Sequence, residues 1–123
     1  MQFDIDIKGK YKDIFVTLKD IILSFDDIYM KKNENQTAFY DQYSAVCFLR
    51  PNKTKKDCYC LSLAKGYKLQ EIFPSLTGDA LITRHINFKK IDDIDKSLIK
   101  QLIKETMILN MESFELKKLR KNI

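Results

Sequence analysis

No apolar run in this chain approaches the length of a membrane-spanning helix, and its opening residues, MQFDIDIKGK, lack the apolar core of a signal peptide. A membrane partner is therefore not expected, and the location expected is the cytoplasm. Cysteine is scarce: Cys47, Cys58 and Cys60 are all there is. An odd count without an export signal excludes a disulfide framework and fits a reducing compartment. There is one histidine, His85, so any imidazole acid–base chemistry rests on a single residue. No repeat and no linker divides residues 1–123, which read as one domain. No nucleic-acid motif accompanies the net charge of +5, and the lysines are spread along the whole chain. They read as a solvated basic surface, and a nucleic-acid partner is not expected.

What the chain does have is enough apolar material for a core: 45% hydrophobic against 32% charged residues, the balance of a soluble globular domain. Its clearest pattern lies at Ile94, Leu98, Ile99, Leu102, Ile103, Thr106 and Leu109, spaced by threes and fours along one helical face. Lys96, Lys100, Gln101 and Lys104 take the other side. Asp92, Asp93 and Asp95 crowd the start, where free N–H groups favour carboxylates, and Asp95 is the expected N-cap. A second stripe, Tyr11, Ile14, Phe15, Leu18, Ile21, Ile22 and Phe25, predicts an amphipathic helix docked on a sheet.

Before that helix, Phe3, Ile5 and Ile7 alternate with polar residues, which is strand periodicity. Between the helices, Ile28–Met30, Thr37–Tyr40, Tyr43–Leu49, the CYCLSLA segment and Leu81–Phe88 read as strands joined by local turns, hence antiparallel. The polar run Lys31–Asn35 is the first turn. Pro51 is expected to end the third of these strands, because it lacks a ladder N–H. Tyr67–Phe73 suits a short helical turn. The fold class is α+β: a mainly antiparallel sheet of about five strands, with an N-terminal and a long C-terminal helix on one face.

Few residues suggest chemistry. Cys58 and Cys60 share one side of a strand, and Cys47 lies on a neighbouring one; small core residues are the preferred reading over a three-thiol metal site. On the last strand Thr83, His85 and Asn87 form a polar face, while Arg84 falls among Ile82, Ile86 and Phe88. A guanidinium there needs a partner, and the aspartates just beyond the turn are the natural ones; an anion-binding arginine is the functional alternative. Arg84, His85, Thr83 and Asn87 are the candidate ligand-binding residues. No nucleophile–base spacing is recognisable, so catalysis through His85 with Arg84 is the lesser reading.

The segments GYKL, LTG and TRHINFKKIDDIDKSLIKQLIKET resemble the C-terminal half of the YdhG-like family of small bacterial domains. The matching positions are Gly66, Leu69, Leu76, Gly78, Arg84, His85, Ile86, Asp93, Ile94 and Asp95, within Lys65 to Leu109. Family members often carry a Gly-Lys-rich run where this chain has Thr77, Gly78, Asp79 and Ala80, so no phosphate contact by that loop is carried over. The resemblance implies a mostly uncharacterised domain, with one branch described as frataxin-like iron chaperones. Under that alternative Asp92, Asp93 and Asp95 would form a weak oxygen-ligand iron site; otherwise no cofactor is expected. The expected function is non-catalytic binding of a small molecule or protein partner near the uncovered sheet face. Ile108 and Met111 project to the lysine side of the last helix. Either the helix bends or ends near Asn110 and folds Met111, Phe114, Leu116 and Leu119 back, or a homodimer covers this C-terminal segment.

Overall fold

The computed structural model describes residues 1–122. In chain order they form α1 (Gln2–Asp6), α2 (Lys12–Leu23), β1 (Tyr29–Lys32), β2 (Thr37–Tyr40), β3 (Ala45–Pro51), β4 (Tyr59–Leu63), α3 (Gly66–Leu69), β5 (Arg84–Phe88), a 3₁₀ turn at Ile91–Asp93, and α4 (Lys96–Lys121). The five strands make one antiparallel sheet in the order β1-β2-β3-β4-β5. Each strand pairs with its sequence neighbour, as short turns dictate.

Register decides which face each side chain takes. Residues paired across strands share a face, so Phe39, Cys47 and Leu63 lie on the same side as Leu49, Leu61 and Ile86. These join Phe15, Leu18 and Ile22 of α2 and Ile99, Leu102 and Ile103 of α4 in one core. The two amphipathic helices thus cover one face of the sheet with their apolar stripes. Val46, the extra residue where β2 and β3 slip register beyond Phe39, is also buried in this core.

The N-terminal segment corrects the strand reading: Gln2–Asp6 is helical. Phe3 and Ile7 are four apart, so one helix face can carry both. Phe3 sets its ring edge-on to Phe15 at 5.5 Å, whereas Ile5 points to solvent. Asp6 is buried, accepting hydrogen bonds from the Tyr59 hydroxyl at 2.7 Å and the Gln2 amide at 2.9 Å. Burial raises its carboxyl above the ordinary range, and the two donors only partly offset this.

The sign follows directly. A carboxyl raised in the folded state keeps its proton to higher pH than in the unfolded chain, so stability falls as pH rises through that folded value. Asp6→Asn, which cannot ionise, is expected to flatten this slope and to be neutral or stabilising at pH 7. Tyr59→Phe should cost about 1–3 kcal/mol by stranding the buried oxygen. Urea midpoints from pH 4 to 8 measure both; a steeper slope in Asp6→Asn would refute the assignment.

Two further expectations shift, while Pro51 ends β3 as expected, as its last paired residue, opposite Tyr59. By then β2 has ended its pairing at Thr37 with Leu49, so an N–H is no longer needed on that side. The first turn falls after Lys32, closed by a hydrogen bond from Asn33 N–H to the Gln36 carbonyl at 3.0 Å. The last strand is regular only from Arg84; Leu81 and Ile82 are exposed and do not reach the core.

Candidate functional site

The sequence motifs of Lys65–Phe88 meet in one structural knot. Gly66 opens α3 against β5 so closely that a Cβ there would lie 2.5 Å from the Cβ of Arg84. Leu69 and Leu76 are buried on either side of the loop. Thr77 pairs with His85 through two backbone hydrogen bonds of 2.8 Å, which lays Gly78 against the imidazole. Gly78 has φ +118°, a conformation side chains disfavour. These residues build the fold here.

Arg84 belongs to the same knot and corrects the expected ion pair. Its Nε donates to Gln70 Oε1 at 2.8 Å, and its Nη1 donates to the Thr83 carbonyl at 2.8 Å and to the Ala80 carbonyl. No aspartate is involved: the Gln70 side chain and the carbonyls of the irregular 80–83 segment take the guanidinium instead. Its Nε and Nη1 hydrogens are thus spent on the chain itself.

Two of the three aspartates are engaged as well. Asp93 accepts from the Lys89 and Lys90 N–H groups at 2.9 and 3.2 Å, which lowers its carboxyl below the ordinary range. Asp95 caps α4 through Leu98 N–H at 3.1 Å, as its position predicted. Asp92 is exposed. Among the described residues no three His, Cys, Asp or Glu side chains converge as metal ligands would. The thiols do not assemble either: Cys47 lies on the covered face and Cys60, paired with Arg50 and Asn87, on the other.

That other face is the open one. Across its middle run Lys31, Ala38, Phe48, Ser62 and His85, one from each strand. Beside them runs the row Arg50, Cys60 and Asn87, and at the opposite end Tyr29 stacks on Tyr40 at 5.7 Å. The small residues Ala38, Cys60 and Ser62 are buried between larger neighbours, so the surface consists of aromatic rings and cationic or amide heads. Among these outward positions of the strands there is no acidic residue.

His85 and Asn87 are brought together with Arg50 here, while Arg84 points away. Burial, and then repulsion from Arg50, lowers His85 and keeps it neutral at neutral pH. Asn87 accepts from the Asn52 amide at 2.7 Å. Thr83 contributes only its backbone carbonyl, to Arg84. His85 lines none of the cavities described, and it faces away from Arg84, so the two do not form an acid–base pair.

Phe48, Arg50 and Tyr40 were not singled out from sequence. Their signal was present, since Phe48 and Arg50 alternate with the core residues Cys47 and Leu49, but it became meaningful only with the register. No described helix is long and apolar enough to cross a membrane. Comparison with known proteins found no matching family model, no matching curated protein and no matching solved structure.

Proposed function

We propose that this domain is a non-catalytic, YdhG-like binding module whose open sheet face receives an acidic protein surface. The observation that carries this reading is the acid-free face itself, with Phe48 at its centre and Arg50, Lys31, Tyr40 and Tyr29 around it. Aromatic residues and arginine are the side chains that dominate protein–protein hot spots. None of the cavities described is lined by Phe48, Arg50 or His85, which suits a macromolecule better than the small molecule that the sequence also allowed. Two permanent cations on the strands are few for nucleic acid, whose affinity comes from many phosphate contacts. The buried free thiols fit a reducing compartment such as the cytoplasm.

Titration of the labelled protein with an acidic glutamate-rich peptide, followed by backbone amide shifts, tests this. Shifts are expected around Phe48, Arg50 and His85, diminishing with salt. Phe48→Ala and Arg50→Glu should each weaken binding about tenfold, roughly 1.4 kcal/mol, with the melting temperature little changed. Perturbations confined to the helical face would end the proposal. Tighter binding of a single-stranded oligonucleotide would replace the acidic protein with nucleic acid.

A further inference from the structure

The sheet does not extend under all of α4. Its buried residues run from Ile99 to Asn110. Beyond them Phe114 sets its ring 5.0 Å from that of Tyr43, and from Phe114 through Asn122 every residue is exposed. The helix nevertheless continues to Lys121. This corrects the expectation that it bends or ends near Asn110 and folds Met111, Phe114, Leu116 and Leu119 back. About two turns of helix therefore stand clear of the domain's own core.

Between Leu116 and Asn122 this overhang carries Lys117, Lys118, Arg120 and Lys121 and no acid. With about 100° per residue, Lys117 and Lys121 continue the line of Ile99, Ile103 and Asn110, and Arg120 and Lys118 flank them. The four cations thus fan over about 160° of the helix. Together with Phe114 they line a depression of about 470 Å³. None of them enters a salt bridge among the described residues. Glu112 and Glu115 fall on the opposite side of the helix, with Leu119 between them. Two further cations stand near the fan: burial, then repulsion from Lys68 and more weakly from Lys117, lowers the Lys65 ammonium. Lysines spread along the sequence carry no expectation of a nucleic-acid partner, but the helix gathers these beyond the end of the sheet.

We infer that the overhang of α4 docks on duplex DNA, with its cationic side against the phosphate backbone. A depression lined by four cations and no acid complements a polyanion. Protein interfaces centre on desolvated apolar side chains and are depleted in lysine, whereas phosphates are met by lysine and arginine. A lipid surface suits this side less, because Leu119 faces the other way and apolar and basic groups cannot reach a bilayer together. Single strands are held through free aromatic platforms, and Phe114 is already packed on Tyr43. The fan of cations suits a duplex. A helix about 10–12 Å across fits a major groove about 12 Å wide, whose two walls offer phosphates to Arg120 and Lys118 at once. Backbone contacts carry no base information, so binding is expected to be independent of sequence. The overhang belongs to the helical layer and leaves the open sheet face free.

Fluorescence anisotropy of a labelled DNA duplex of about 16 base pairs, titrated with the full chain at about 50 and about 200 mM salt, tests the inference. Four neutralised phosphates predict about a hundredfold loss of affinity between the two. Lys117→Gln with Lys121→Gln should weaken binding at the lower salt and reduce that loss to about tenfold. Its melting temperature should match the parent's, because both side chains are exposed. Lys96→Gln with Lys100→Gln removes the same charge about 25 Å or more away along α4, and should change the affinity by no more than about twofold. Backbone amide shifts on adding the duplex should centre on Phe114–Asn122. No binding at the lower salt overturns the inference, as does a Lys117 and Lys121 variant that binds like the parent. Tighter binding of the matching single strand, or shifts centred on Phe48 and His85, overturns it too. Binding to phosphatidylserine vesicles with none to the duplex would do the same.

Discussion

Leu102→Asp is expected to abolish folding, and Leu18→Asp to do the same. Both side chains are fully buried, Leu18 on α2 and Leu102 on α4, where the helices meet each other and the sheet. A carboxylate there loses its water without gaining a partner: the only salt bridges among the described residues, Met1–Asp4, Lys10–Asp57 and Lys19–Asp20, all have exposed carboxylates. Burying it ionised costs several kcal/mol, and the lost leucine packing adds about 2–5 kcal/mol. Together these match the whole stability of a domain of this size, about 5–15 kcal/mol. Far-UV circular dichroism and thermal melts measure it, with Lys100→Asp, on the exposed side of α4, as the control that should melt within a few degrees of the parent. A cooperative parent-like melt for Leu102→Asp would mean that the core is assigned wrongly.

The two helices behind that prediction were legible because their signal is local. Seven apolar residues at helical spacing state which side is buried, and Asp95 states where α4 begins. The strands were legible as segments but not as faces. Phe48 and Cys47 are equally apolar, and only pairing with Ser62 and Leu63 shows that one faces outward and the other inward. The Phe3–Ile7 segment was misread because five residues can satisfy periods of two and four at once. What settles it is Tyr59, fifty-three positions away, whose hydroxyl gives buried Asp6 a partner. Alternation places Arg84 on the inner side but does not show its partners, because backbone carbonyls leave no trace in residue type. The motif residues quoted for the YdhG-like resemblance follow the same logic. Gly66, Leu69, Leu76 and Gly78 are spaced as they are because α3, the loop and β5 touch, so a recognisable pattern marked a packing knot and left the open face unmarked.

Asn110→Ala is expected to cost about 3–5 kcal/mol and to loosen the C-terminal half of α4. Asn110 is buried and works in three directions at once. Its amide donates to Asp41 Oδ2 at 3.0 Å and to the Ala45 carbonyl at 3.0 Å, while its carbonyl oxygen accepts from Lys65 Nζ at 2.5 Å. Asp41, itself almost fully buried, spends its other oxygen on the Tyr43 and Ser44 N–H groups at 2.8 and 2.9 Å, forming the β2–β3 turn. One side chain therefore ties α4 to that turn and to the segment leading into α3. Truncation strands a carboxylate oxygen, a carbonyl and an ammonium already destabilised by burial, each costing about 1–3 kcal/mol where water cannot reach it. Asn110→Leu should be nearly as damaging despite filling the space, because it restores volume and no hydrogen bond. Hydrogen exchange resolves the effect by position: protection should fall from Met107 onward and around Tyr43, while the Ile99–Ile103 turns, held by the core, change least. Uniform loss of protection along α4, or a Leu variant as stable as the parent, would show that packing and not this network anchors the helix.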